Sequence, residues 1–208
     1  MKTLGQKTPL PIANHTSVVH NNKMYLFGGG GGMCENKELF MLDLETYRWS
    51  VLKPQIKNND TDNDPVTRDE HSCIVYDDSL IVFGGFSVGE KTNSIFKYHF
   101  RSNTWEQIHA KGKARPSPRV GHSAVLYQDD NHGDCMYIFG GKDDENNKVS
   151  DLWKFNFETL QWTCIEAVGE PLPRSGHSAS NYKKHLMIIY GGIYEITKEL
   201  NDMHIFDL

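Results

Sequence analysis

The chain of 208 residues has no Cys-x-x-Cys pair, no apolar run near the ~18 residues of a membrane span, and no stretch with helical periodicity. Its four cysteines, Cys34, Cys73, Cys135 and Cys164, stand far apart, so neither a zinc site nor a disulfide framework is expected. Cys73 and Cys164 fall in strand-like runs, where a thiol acts as a small hydrophobe. A surplus of positive charge is missing as well: 22 Lys and Arg face 27 Asp and Glu, a formal net charge of −5. Phosphate-driven binding needs a broad basic face, which this balance excludes. Nothing at the start of the chain resembles a secretory leader, so Asn14-His15-Thr16 and Asn59-Asp60-Thr61 carry no expectation of a glycan. The expectation at this level is a soluble cytoplasmic protein with no nucleic-acid and no membrane partner.

What the chain does contain is a recurrence. An apolar run ends in a glycine pair four times, at Gly28-Gly29, Gly84-Gly85, Gly140-Gly141 and Gly191-Gly192, and the first glycines lie 56, 56 and 51 residues apart. His15, His71, His122 and His177 precede the pairs by 13, 13, 18 and 14 positions, each followed by Thr or Ser and a β-rich run. Trp49, Trp105 and Trp162 follow the second glycine by 20, 20 and 21 positions. Three landmarks in phase at a period near ~50 residues mark a repeat architecture. In the third repeat the β-rich runs are His122–Tyr127, Cys135–Phe139, Ser150–Phe157 and Gln161–Ile165, with Gln128–Asp134 reading as a turn. Four short strands per unit describe a propeller blade.

These residues resemble the kelch repeat, with its double glycine after the second strand and a tryptophan opening the fourth. The tyrosine that such repeats place seven positions before the tryptophan is Leu42, Tyr98 and Phe155 here. Pro116-Ser-Pro-Arg-Val-Gly-His122 and Pro171-Leu-Pro-Arg-Ser-Gly-His177 are similar to the long-repeat kelch subgroup, where Pro-Arg-x-Gly-His leads into the innermost strand. The fold class implied is all-β, a kelch-type β-propeller of about four blades, at about 12–53, 68–110, 119–167 and 174–208. Asp202–Leu208 aligns with Asp151–Phe157, and the next tryptophan of the series would fall at position 213. The last blade is therefore expected to be incomplete, and the chain a fragment of a six- or seven-bladed propeller. In the alternative, a closed four-bladed ring, Met1 to Leu4 supply the missing outer strand. Open ends of such an array also raise the expectation of self-association.

The resemblance implies a non-catalytic scaffold that presents loop-borne contacts to another protein, as an adaptor or a substrate-recognition region. Ubiquitin-ligase substrates, cytoskeletal proteins and small-GTPase pathway components are the partner types it implies; no BTB or F-box segment names the pathway. A structural assembly component and a metal-dependent kelch-type enzyme are the alternatives. The Glu-x3-Asp-x3-His of the iron-dependent members is absent, and nothing supports the cysteine-tyrosine crosslink of the copper oxidases. No catalytic residue, cofactor or metal is expected. Arg68, Arg119 and Arg174 stand three positions before the repeat histidines, with Ile12 in the first repeat. Repeated arginines can ring one mouth of a propeller and take carboxylates of a partner, or bond the carbonyls and carboxylates of neighbouring blades.

The segments after the glycine pairs differ most: Gly30–Cys34 is glycine-rich, Phe86–Glu90 offers an aromatic, Lys142–Asn146 is acidic and Ile193–Glu195 is amphipathic. Phe86 and Tyr194 are the contact candidates there, with packing over the blade as the competing role. Lys57–Pro65 is long and acidic and reads as a solvated loop lacking the glycine and glutamate of an EF-hand. Lys111–Arg115 is a short basic connection.

Overall fold

The computed structural model describes residues 4–5, 7–31, 34–128, 133–169 and 171–208. Every principal element is a five-residue antiparallel strand. The first sheet contains β1 (Thr16–His20), β2 (Lys23–Phe27), β3 (Leu39–Asp43) and β4 (Arg48–Leu52). The second repeats the order with β5 (Ser72–Tyr76), β6 (Ser79–Phe83), β7 (Ile95–His99) and β8 (Thr104–Ile108). The third holds β9 (Ser123–Tyr127), β10 (Cys135–Phe139), β11 (Leu152–Asn156) and β12 (Gln161–Ile165). The fourth is a three-stranded sheet of β13 (Ser178–Tyr182), β14 (Leu186–Tyr190) and β15 (Met203–Asp207). Each is the meander of a propeller blade, and the all-β, kelch-type fold class read from the repeats holds.

Local chemistry explains the strands. β1 and β2 are joined by Asn21-Asn22, and β5 and β6 by Asp77-Asp78, with both residues of each pair at positive φ. That is the backbone a two-residue hairpin turn requires, and Asn and Asp tolerate it best among residues with a side chain. The corresponding Gln128–Asp134 turn of the third blade lies partly outside the described residues. The seven-residue interval also acquires a cause: Leu42 faces Trp49, Tyr98 faces Trp105 and Phe155 faces Trp162 directly across the outer hairpin of each blade. The rings of Tyr98 and Trp105 lie 5.1 Å apart, and those of Phe155 and Trp162 5.0 Å apart. Tyrosine is dispensable because the position needs apolar bulk against indole.

Two compact units divide the chain: residues 1–90 with 94–108, and residues 91–93 with 109–208. In the first, Phe27 and Leu39 of one blade pack with Leu80, Val82 and Trp105 of the next. In the second, Phe139 and Leu152 pack with Met187 and Ile189. Each core is thus the seam between two consecutive blades.

A feature invisible in the repeats is a parallel strand added to blade edges by the preceding connection. Leu4–Gly5 pairs with Arg48-Trp49, Gln55–Ile56 pairs with Thr104-Trp105, and Lys111 bridges to Gln161. The alternative in which Met1 to Leu4 complete the fourth blade is corrected by this pairing, since Leu4 belongs to the edge of the first; Met1–Thr3 lie outside the described residues. The Lys57–Pro65 connection is likewise not simply solvated. It forms two short 3-10 turns, and the Asn63 side chain accepts the Gln107 backbone N–H at 2.8 Å, docking it on the edge of β8. Among the described residues no helix is long and apolar enough to cross a membrane.

Candidate functional site

The repeat arginines are buried, with exposures of 4% for Arg68, 1% for Arg119 and 0% for Arg174. Each donates to the carbonyl of the first glycine of its own blade's pair: Arg68 to Gly84, Arg119 to Gly140 and Arg174 to Gly191, at 3.0 to 3.1 Å. Arg119 also holds both oxygens of Asp151, at 2.7 and 2.8 Å, and Arg174 both oxygens of Asp202, at 2.6 and 2.8 Å. The Arg174 hydrogen bonds hold the Asp202 carboxyl well below the usual carboxylate range. Arg68 has Ser94 in the place of the aspartate and turns to the Pro65 carbonyl, and burial lowers its pKa to about 10. In the first blade Ile12 replaces the arginine and Glu38 pairs with Lys7 instead, at 2.6 Å. The acceptors lie within the arginine's own repeat, not in a neighbouring blade. Each of these three guanidinium groups is thus engaged inside its own repeat.

The histidines and glycines form the seams. His71 Nε2 lies 2.7 Å from Thr16 Oγ1, and His177 Nε2 lies 2.8 Å from Ser123 Oγ, each reaching the hydroxyl that follows the preceding blade's histidine. Their rings meet Phe27 and Phe139 edge-on at 5.4 and 5.3 Å. A Cβ on Gly140 would stand 2.8 Å from the Arg174 carbonyl oxygen and 3.1 Å from His177 Cε1; one on Gly28 would collide with the equivalent Arg68 and His71 atoms. The second glycine has a different neighbour, the Cβ of its own blade's histidine, as for Gly85 with His71 at 2.7 Å and Gly141 with His122 at 2.9 Å. Both glycines have positive φ, so the pair serves two close approaches at once. Burial, followed by the Arg174 charge, pushes the His177 pKa down to about 4. Among the described residues no group of three or more His, Cys, Asp or Glu side chains converges.

The segments after the glycine pairs are short ribbons: Gly30–Gly31 with Cys34–Glu35, Phe86–Ser87 with Glu90–Lys91, and Ile193–Tyr194 with Lys198–Glu199. Part of Gly30–Cys34 lies outside the described residues. Backbone bridges from Ala13 to Gly30, Asp69 to Phe86 and Ser175 to Ile193 pin each ribbon to the lead-in of its own blade. Phe86 is exposed, while Tyr194 is half-buried beneath Lys198 Nζ, 5.5 Å from its ring centroid.

Beside Phe86 the structure adds residues that sequence reasoning missed. A groove of about 850 Å³ in the first unit has Leu39 and Trp105 among its buried lining and Val66 and Val88 among its exposed lining. Both valines have positive φ, 46° and 51°, a conformation that β-branched residues rarely accept. Lys37, Lys53 and Asp64 add charge of both signs. A second groove of about 980 Å³, lined by Leu10, Pro11, Ile12 and Phe40, shares Lys37 and Glu38 with the first. It lies beside Ile12, where the other blades insert a guanidinium.

Residues 55–208 match the family described as Attractin/LZTR1 beta-propeller, and residues 11–55 match the Kelch motif. The chain is 29% identical over its whole length to acyl-CoA-binding domain-containing protein 4 of Arabidopsis thaliana, covering 31% of that protein. It is 31% identical to human Kelch domain-containing protein 10 over 91% of the chain and 42% of the relative. The Xenopus laevis protein of the same name is 30% identical over 97% of the chain and 48% of the relative. The chain thus spans less than half the length of these curated relatives.

Proposed function

Since the chain belongs to the Attractin/LZTR1 beta-propeller family and carries kelch repeats, we propose that it is a non-catalytic protein-interaction module acting in the cytoplasm as an adaptor or substrate-recognition region. Its contacts are borne by the ribbons and by the groove of the first unit. An extended peptide segment of another protein places an apolar side chain against Val66 and Val88, with Phe86 as a further contact; Tyr194, on the second unit, is a separate candidate contact. Arg68, Arg119 and Arg174 hold the lead-ins from inside and touch no partner.

The observation that carries this reading is the pair of exposed valines held in the left-handed region beside an apolar groove. Such strain costs on the order of 1–3 kcal/mol and persists where the surroundings impose it, often at binding sites. Val88→Gly separates the two roles. Glycine relieves the strain and deletes the side chain, so the melting temperature is expected to hold or rise while binding of a partner captured from native lysate weakens about tenfold. Phe86→Ala is expected to weaken the same titration with the fold intact, and Tyr194→Ala tests the second unit's contact by itself. Unchanged affinity in Val88→Gly and Phe86→Ala rejects the groove site.

A further inference from the structure

The three repeat arginines do not hold their lead-ins alike, and the odd one stands beside the groove of the first unit. Arg119 and Arg174 each donate from Nε to the carbonyl two positions before, on Ser117 at 3.1 Å and Leu172 at 3.0 Å, and from Nη2 to an oxygen of Asp151 or Asp202, at 2.8 Å. Arg68 donates from both Nε and Nη2 to the carbonyl three positions before, on Pro65. The shift of one residue follows from position 94. Asp151 and Asp202 stand directly before β11 and β15. Ser94 stands directly before β7, with a hydroxyl that reaches Nη1 at 3.2 Å and no second oxygen for Nη2. A buried guanidinium needs another acceptor for that N–H, and the buried Pro65 carbonyl supplies it.

Drawing in the Pro65 carbonyl turns the next residue. Val66 has a φ of 46°, with its N–H held by Asp64 Oδ1 at 3.0 Å, whereas Ser117 and Leu172, whose own carbonyls meet the arginine, have no positive φ. Thr67 then fixes the bend from both sides: its hydroxyl donates to the Asn36 carbonyl and its carbonyl accepts the Ser87 hydroxyl, each at 2.8 Å. Val88 follows Ser87 directly. Both valines line the groove, and Ser94 is not among its described lining residues.

We infer that Ser94 is a positioning residue of the groove that acts through Arg68: its lack of a carboxylate leaves the guanidinium on the Pro65 carbonyl, which sets Val66 in the left-handed region and its side chain in the groove wall. The role in binding rests on the groove reading; the role in shaping the wall does not. A carboxylate at position 94 takes Nη1 and Nη2 as Asp151 and Asp202 do, frees the Pro65 carbonyl and lets the second lead-in relax to the form of the other two.

Ser94→Asp and its neutral isostere Ser94→Asn separate charge from bulk. A residue with positive φ brings its own amide and α protons close together, which gives a strong contact in an NOE spectrum. For Val66 that contact is expected in wild type and in Ser94→Asn, and is expected to be lost in Ser94→Asp. Val66→Gly gives a second readout. It relieves the strain, so it is expected to raise the melting temperature of the wild-type protein by about 2 °C. In Ser94→Asp it is expected to lower it, because glycine there only adds freedom to the unfolded chain. With the partner captured from native lysate, Ser94→Asp is expected to bind about tenfold more weakly and Ser94→Asn as well as wild type. Survival of the Val66 contact in Ser94→Asp, its loss in Ser94→Asn, or a Val66→Gly shift of the same sign in both backgrounds overturns the proposal. Full affinity in Ser94→Asp where Val88→Gly binds weakly overturns the role in binding. Full affinity in both Val88→Gly and Phe86→Ala rejects the groove reading instead, and the Val66 contact still decides the shaping of the wall.

Discussion

A guanidinium taken out of water must find acceptors for its five donors, and the repeat arginines are supplied in two ways. Arg119 and Arg174 face a carboxylate and a glycine carbonyl, whereas Arg68 makes do with carbonyls and the Ser94 hydroxyl. The pair at Arg174 is asymmetric in burial: the arginine side chain is 0% exposed and the Asp202 side chain 38%. Removing the arginine leaves a carboxylate that water can reach; removing the aspartate leaves a buried cation short of acceptors. Arg174→Met is therefore expected to cost about 1–2 kcal/mol, discounted for solvent screening, and Asp202→Ala about 3–5 kcal/mol. Urea titration of the two variants checks the order. Equal losses, or a larger loss for Arg174→Met, would show that the pair is not held by the burial of its cation.

At the scale of elements, the glycine pair is where one blade meets the next. Gly28→Ala places a methyl group against the Arg68 carbonyl and the His71 ring in addition to its positive φ, while Gly112 has positive φ with nothing within 4 Å of its would-be Cβ. Gly112→Ala is expected to cost about 1–2 kcal/mol, the backbone term alone. Gly28→Ala is expected to cost at least about 3 kcal/mol, since backbone and a packed ring must both move. Equal melting temperatures for the two variants would contradict the close approach. The glycines, histidines and tryptophans were legible in the sequence because each has one job repeated in phase. The edge strands were not, because Leu4-Gly5, Gln55-Ile56 and Lys111 share no residue type; backbone pairing alone defines them. Val88 was hidden for a related reason. Gly89 announces a ribbon turn, but nothing marks the valine before it as left-handed. Asp151 and Asp202 could have been read as partners of Arg119 and Arg174 from their common place before β11 and β15. Ser94 and Glu38 at the same place in the earlier blades broke the pattern.

For the molecule as a whole, His177 and Asp202 make two separate contributions to the loss of stability in acid. His177 has a pKa of about 4 in the fold against 6.5 when exposed, because burial and then Arg174 disfavour its charged form. Between those values the unfolded chain binds a proton that the folded chain refuses, so stability falls as pH drops from about 6.5 to about 4, by up to about 3 kcal/mol. Below that window both states are protonated and this group adds no further slope. Asp202 acts lower. Its pKa is depressed beneath the ordinary 3.8, chiefly by the Arg174 hydrogen bonds, so its contribution is complete above the ordinary carboxylate range and is lost as pH falls beneath it. His177→Gln keeps a donor for Ser123 and cannot titrate. The difference between wild-type and His177→Gln unfolding free energies, measured in urea from pH 7.5 to 4, is expected to be flat above pH ~6.5 and to slope below it in the variant's favour. The lower step is expected to remain in the variant and to shrink in Asp202→Asn, with Asp43 and Glu106, whose carboxyls are also held below the ordinary range, supplying the rest. A difference curve that is flat down to pH ~4 would mean that the imidazole takes up its proton inside the seam, and the dry contact between His177, Phe139 and Gly140 would have to be abandoned.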